Sequence, residues 1–219
     1  MKEEFEMKRI IAVILASLML VFCLASCEKE FKAPDYEDIN MSSIANLDGV
    51  TESDEETDYV KLTIKDHGTI IIRLFPNVAP KTVENFKKLV SEKFYDGLIF
   101  HRVKANFMIQ GGDPEGTGYG GSPDKIFGEF ESNGFENNLP HIRGVISMAR
   151  SNDKNSASSQ FFICRKSDTC ASLNGDYAAF GYVVYGIDVV DSVATVTTNA
   201  NDKPLTDVVI ESIRFVNVD

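Results

Sequence analysis

Histidine and cysteine are scarce in this chain, at three and four among 219 residues, and tryptophan is absent. His67, His101 and His141 stand in no metal-ligand spacing, and Cys164 and Cys170 lack the partners a zinc site needs. A Ser–His–Asp arrangement requires a base oriented by a carboxylate, and no serine is placed beside His101 or His141 by the sequence. Cations are outnumbered, 22 Lys and Arg against 33 Asp and Glu, giving a formal net charge of −11. That balance argues against a nucleic-acid partner, which needs clustered Lys and Arg for phosphate. There is no internal repeat and no Gly-rich phosphate loop.

What is present begins with an N-terminal targeting pattern. Lys8 and Arg9 precede IIAVILASLMLVFCLAS, shorter than the roughly 20 apolar residues of a spanning helix. The acidic MKEEFE in front is foreign to such a signal, and a start at Met7 would remove it. The run ends in LASC, Leu24 to Cys27, which resembles the bacterial lipobox. Residues 1–26 therefore read as a lipoprotein signal peptide and Cys27 as the lipidated residue, with an ordinary signal as the simpler reading. Glu28 to Asp58 carries a net charge of −9, whereas Tyr59 to Asp219 carries only −2. The acidity marks residues 27–57 as a flexible tether and leaves 58–219 as the folded domain.

From Tyr59 the texture becomes that of a core-forming chain. YVKLTIK alternates apolar and polar residues, Asp66-His67-Gly68 reads as a turn, and TIIIRLF as the second strand of a hairpin. Pro80 opens a helix in which Val83, Phe86, Leu89 and Val90 share a face, and a second helix is expected near 187–194. Short apolar runs follow at 98–103, 107–110, 145–149, 160–164 and 178–185, and VVIESIRFVNV closes the chain. Many short strands with two helices predict a mainly β fold, a closed barrel with helical caps.

The stretch FHRVKANFMIQGGD concentrates the chemistry. It puts Arg102 on one short strand and Phe107, Met108 and Gln110 on the next, with Met108 and Gln110 on one face. Downstream, SSQFFIC supplies Phe161 and Phe162 to opposite faces. Taken singly, Phe107, Met108 and Phe162 read as core and Arg102 as an ion-pair partner. His141 reads as structural, and Asp113 as a turn or capping carboxylate. Together, an apolar surface with a guanidinium and an amide suits a proline ring held while hydrogen bonds reach its peptide backbone.

The segments FHRVKANFMIQGGD, GTGYGG, FGEF, ISMARS, NSASSQFFI and LNGDYAAFGYVV, in that order, resemble the cyclophilin-type peptidyl-prolyl isomerases over nearly all of residues 59–215. The resemblance implies a closed eight-stranded antiparallel β-barrel capped by two α-helices. It implies that Arg102, Gln110 and Phe107 are catalytic. Substrate binding would fall to Phe100, His101, Met108, Ala149, Arg150, Ser151, Phe162, Leu173 and Tyr177. Three positions depart from the common pattern: Arg150 where Asn is frequent, Tyr177 where many members have His, and Ser172 where many have Trp. The last bears on cyclosporin binding more than on catalysis.

No cofactor or metal is implied. The expected partners are proline-containing polypeptides, and a monomer is expected. Combined with the signal, the resemblance implies a lipid-anchored, extracytoplasmic isomerase at the cell membrane or envelope, acting on proteins that fold there. The alternatives are a non-catalytic proline-peptide binding or chaperone lipoprotein and a purely structural one. Cys164 and Cys170 leave two arrangements open, a small disulfide or a buried free Cys164 with an exposed Cys170.

Overall fold

The computed structural model describes residues 35, 37 and 39–219. The signal segment and Cys27 lie outside the described residues. Nine strands form one antiparallel sheet in the order β1-β9-β2-β3-β8-β6-β7-β5-β4. They are β1 (Val50–Glu52), β2 (Tyr59–Ile64), β3 (Gly68–Leu74), β4 (Arg102–Val103), β5 (Met108–Gly111), β6 (Val145–Met148), β7 (Phe161–Cys164), β8 (Ala179–Tyr185) and β9 (Ile210–Val218). The described residues also hold three α-helices: α1 (Pro80–Ser91), α2 (Ser167–Cys170) and α3 (Ile187–Ala194).

The expected hairpin is present, with Tyr59 opposite Arg73 and Ile64 opposite Gly68. Asp66 turns it at φ +62°, a left-handed conformation that Asp tolerates better than most side chains. The inward residues Val60, Leu62 and Ile64 are fully buried, as the alternation requires.

The barrel expectation needs correction. The sheet has nine strands, not eight, and its ladder does not close. Where the two ends approach, contact is carried by isolated bridges from Ile99 to Val209 and to Asp113. β4 is only two residues long, too short to continue a ladder. The extra strand, β1, comes from the segment that composition assigned to the tether. Val50 pairs with Val218 and Glu52 with Val216, and Ile39 is buried among Phe75, Val78 and Leu139. Acidic side chains there face solvent while their apolar neighbours pack, a distinction that a net charge over 31 residues averages away.

Helix α1 begins at Pro80, whose missing N–H costs nothing in a first turn. The residue before it, Ala79, offers no side-chain cap. Glu129, from a distant loop and almost completely buried, takes that role: its carboxylate accepts from the Lys81 and Thr82 amides at 2.9 and 2.8 Å and from Thr82 Oγ1 at 2.7 Å. An anion at a helix N-terminus satisfies orphan donors and opposes the dipole. α1 buries Val83, Phe86, Leu89 and Val90, and α3 buries Val189, Val190 and Val193. Phe86 meets Phe161 edge-on at 5.9 Å and Phe180 at 5.1 Å, so the helix closes over the back of the strands that carry the candidate site.

Candidate active site

Register assembles the site. Arg102 on β4 stands opposite Gln110 on β5, Gln110 opposite Phe162 on β7, and Phe162 opposite Ser147 on β6. Residues directly opposite in antiparallel strands share a face, so a guanidinium, an amide and a phenyl ring form one cross-strand row. Met108 stands opposite Cys164 on the same three-strand unit. The row borders a cleft of about 450 Å³ including its mouth. Arg102, Gln110 and Arg150 supply its polar atoms. Phe107, Met108, Phe162, Leu173, Ala149 and Tyr177 supply the rest.

The polar side chains form a chain of donors. Arg102 Nη1 donates to Gln110 Oε1 at 3.2 Å, and Gln110 Nε2 donates to Gln160 Oε1 at 2.9 Å. Gln160 Nε2 then donates to the carbonyls of Gly120 at 2.7 Å and Gly118 at 3.1 Å. Asp202 makes ion pairs with Arg102 Nε at 3.6 Å and Lys104 Nζ at 3.4 Å. The loop after β5 is held by Asp113, whose carboxylate accepts the amides of Glu115, Thr117 and Gly118. Burial works against ionisation of Asp113, but those amides hold its carboxyl below the usual range.

Nine of the twelve catalytic and substrate-binding candidates border the cleft, and three do not. Phe100 belongs to the core: it is fully buried and meets Phe161 edge-on at 6.1 Å. The two-residue alternation does not run back from Arg102, because residues 100 and 101 precede β4 and belong to no strand. His101 is buried beneath Gly118 with neither ring nitrogen hydrogen-bonded, and burial lowers its pKa. Ser151 borders a neighbouring groove instead.

Cys164 and Cys170 are both buried and unbridged, so the disulfide is not formed and Cys170 is not exposed. They pack beneath Met108 and Phe162, and burial pushes the Cys164 thiol up.

His141 supports the site from behind. Its ring stacks on Phe162 at 5.9 Å and 19°, with Nδ1 3.0 Å from Asn174 Oδ1 and Nε2 2.9 Å from Ser147 Oγ. Burial drives its pKa down to about 4, against a smaller raising effect from Asn174. Arg150 is clamped between Tyr177 at 4.7 Å and Phe130 at 5.1 Å, with Nε on the Asp176 carbonyl. Gln160 is the residue that sequence reasoning passed over. It shares a face with Phe162 by strand alternation, which was the available signal.

An arrangement of this kind can accept an apolar ring and present a permanent positive charge to one edge of it. Comparisons with known proteins identify the family. The sequence model of the family described as cyclophilin type peptidyl-prolyl cis-trans isomerase matches residues 59–215. A Staphylococcus aureus protein named as a peptidyl-prolyl cis-trans isomerase is 37% identical over 172 residues, covering 67% of this chain and 86% of its own length. A Streptococcus pyogenes protein named as a bifunctional phosphatase/peptidyl-prolyl cis-trans isomerase is 40% identical over 181 residues, and the chain spans only 38% of its length. Among solved structures, a Cryptosporidium parvum cyclophilin type peptidyl-prolyl cis-trans isomerase superposes with a TM-score of 0.66 at 30% identity, over 74% of this chain and 98% of that one. A second structure of the same protein, determined in the presence of the dipeptide Ala-Pro, gives 0.65 at 32% identity, over 71% and 97% of the two chains.

Proposed function

The chain belongs to the cyclophilin-type peptidyl-prolyl cis-trans isomerase family, and from that premise we propose that it isomerises X-Pro bonds with Arg102 as the catalytic group. The observation that carries this is the cross-strand row of Arg102, Gln110 and Phe162 along an apolar cleft. The imide bond resists rotation by about 18–20 kcal/mol because the nitrogen lone pair is delocalised into the carbonyl. Twisting the bond localises that lone pair on nitrogen. A guanidinium donor binds it more strongly in the twisted state than in the planar one, and such differential binding lowers the barrier. Because guanidinium stays protonated, the step needs no proton transfer. Met108, Phe107, Phe162 and Leu173 hold the ring, while Gln110 and the backbone of Ala149 to Ser151 hold the flanking peptide.

Unassisted isomerisation takes tens to hundreds of seconds, slow enough to limit folding of a client. The signal pattern and LASC support a site of action outside the cytoplasm, with a lipid on Cys27 holding the protein at a membrane.

The test is catalysed exchange of an Ala-Pro peptide, measured by NMR on wild type and Arg102→Ala. Loss of one preorganised charged donor is expected to lower kcat/KM by about 100- to 1,000-fold with the fold intact. Less than about a threefold loss in a folded variant, far below what one such donor contributes, would remove Arg102 from the mechanism. Binding without turnover in the wild type would favour the non-catalytic proline-peptide binder.

A further inference from the structure

Arg102 stands on a short platform. β4 is two residues long, lies at the end of the sheet, and leaves the Arg102 side chain 39% exposed. A long side chain so placed has rotamers to choose from, and a donor that swings loses the geometry on which its contribution to rate depends. Gln110 holds one arm of the guanidinium, at Nη1. The other side is held from outside the sheet.

Residues 198–204 form a tight turn along the edge of β4 away from β5. Thr198 bridges Pro204, and the Asn199 amide donates to the Lys203 carbonyl at 2.8 Å. Asn199 Oδ1 accepts the amides of Asn201 and Lys203 at 2.8 and 3.1 Å. The turn is tied to the site twice. The Val103 amide donates to the Asp202 carbonyl at 2.7 Å, and Lys203 Nζ donates to the Gly116 carbonyl at 3.3 Å. Asp202 adopts φ +63° here, a conformation that most side chains avoid. Its carboxylate lies 3.6 Å from Arg102 Nε and 3.4 Å from Lys104 Nζ.

We infer that Asp202 is a positioning residue for Arg102. With Gln110 on Nη1 and Asp202 at Nε, the planar guanidinium is fixed from two sides. Its Nη2, which makes no hydrogen bond among the described residues, is left as the donor for substrate. The inference rests on the isomerase reading above and adds to it a residue that acts through Arg102 and does not border the cleft. A carboxylate beside the guanidinium also subtracts from its positive field, so aim and charge act on the rate in opposite directions. Aim prevails, because the guanidinium stays protonated and the twisted imide needs a directed N–H at one atom. The pair is partly solvated, so its effect on kcat is about twofold to fivefold.

The test compares the full chain as wild type, Asp202→Asn and Lys104→Gln. The readouts are NMR exchange of an Ala-Pro peptide and the Arg102 Nε–Hε signal, identified by its absence from Arg102→Ala. Asn tolerates the left-handed conformation and keeps the backbone carbonyl, so the turn survives the first change. Asp202→Asn should lower kcat about twofold to fivefold with KM unchanged, and its Arg102 signal should broaden. Lys104→Gln removes the competing cation and should hold kcat at or above the wild-type value. An unchanged or raised kcat in Asp202→Asn would overturn the inference and leave the isomerase standing. So would an equal fall in Lys104→Gln, which would make the carboxylate a fastener of β4. No turnover by the wild type would instead remove the isomerase reading. The Arg102 signal then decides the restraint alone, an unchanged signal in Asp202→Asn overturning it.

Discussion

His141 touches no part of the cleft surface, yet it stands directly behind the ring that floors it. Stacked on Phe162 and bonded at both nitrogens, it is held neutral, with a pKa near 4 against an ordinary 6.5. A histidine with a depressed folded-state pKa leaves the unfolded chain binding the extra proton at intermediate pH. Its contribution is complete above about pH 6.5, falls as pH drops toward 4, and levels off below, for a loss of roughly 3 kcal/mol. His101, whose pKa burial also lowers, adds to the same window. The carboxylates fall in a lower one: the Arg214 hydrogen bond lowers the pKa of Asp96 and the Arg143 hydrogen bond that of Asp191, so their loss comes below about pH 4. Urea unfolding of wild type and His141→Gln between pH 7.5 and 4.5 separates these terms. The variant should lose less stability across that range than the wild type does. Equal losses would mean that His141 does not carry the dependence. Reading His141 as structural from its sequence was correct, but its link to Phe162 could not be read, because the contact spans 21 residues and depends on how β6 and β7 pair.

Among elements, β1 shows most clearly where composition misleads. Its three residues complete the sheet on β9, and Val50 packs with Ile44 against Ile71, Val184 and Val216. A chain cut at residue 57, where the acidic stretch gives way to regular alternation, loses that strand and the packing of Ile39 and Ile44. The edge of β9 at Val216 and Val218 is then open to pairing with other molecules. Such a fragment should be less stable than the full chain, by about 2 kcal/mol or more from the lost apolar burial, and should self-associate. Thermal unfolding and sedimentation of the two forms decide this; equal stability and a monomeric fragment would show that β1 is dispensable. The other strands and helices α1 and α3 were legible, because period-2 and period-3.6 patterns lie in local sequence. β1 was not, since three residues show no period. The capping of α1 by Glu129 was also hidden, because donor and acceptor lie 47 and 48 residues apart.

For the whole molecule, the order of motifs disclosed the family and most of the cleft. The openness of the sheet and the core position of Phe100 depended on strand lengths that pattern does not set. The proposed lipid anchor belongs to this scale too. Labelling cells with a radioactive fatty acid should mark the wild type and leave Cys27→Ser unmarked; equal labelling of both would place the lipid elsewhere. The burial of Ile39 then gains a meaning in terms of distance. Twelve residues join Cys27 to Ile39 and reach at most about 40 Å when fully extended. A chain loose as far as Tyr59 would reach about 110 Å. Docking residues 39–52 on the sheet takes that length out of any tether, so under the proposed anchoring on Cys27 the isomerase would reach only clients close to the membrane.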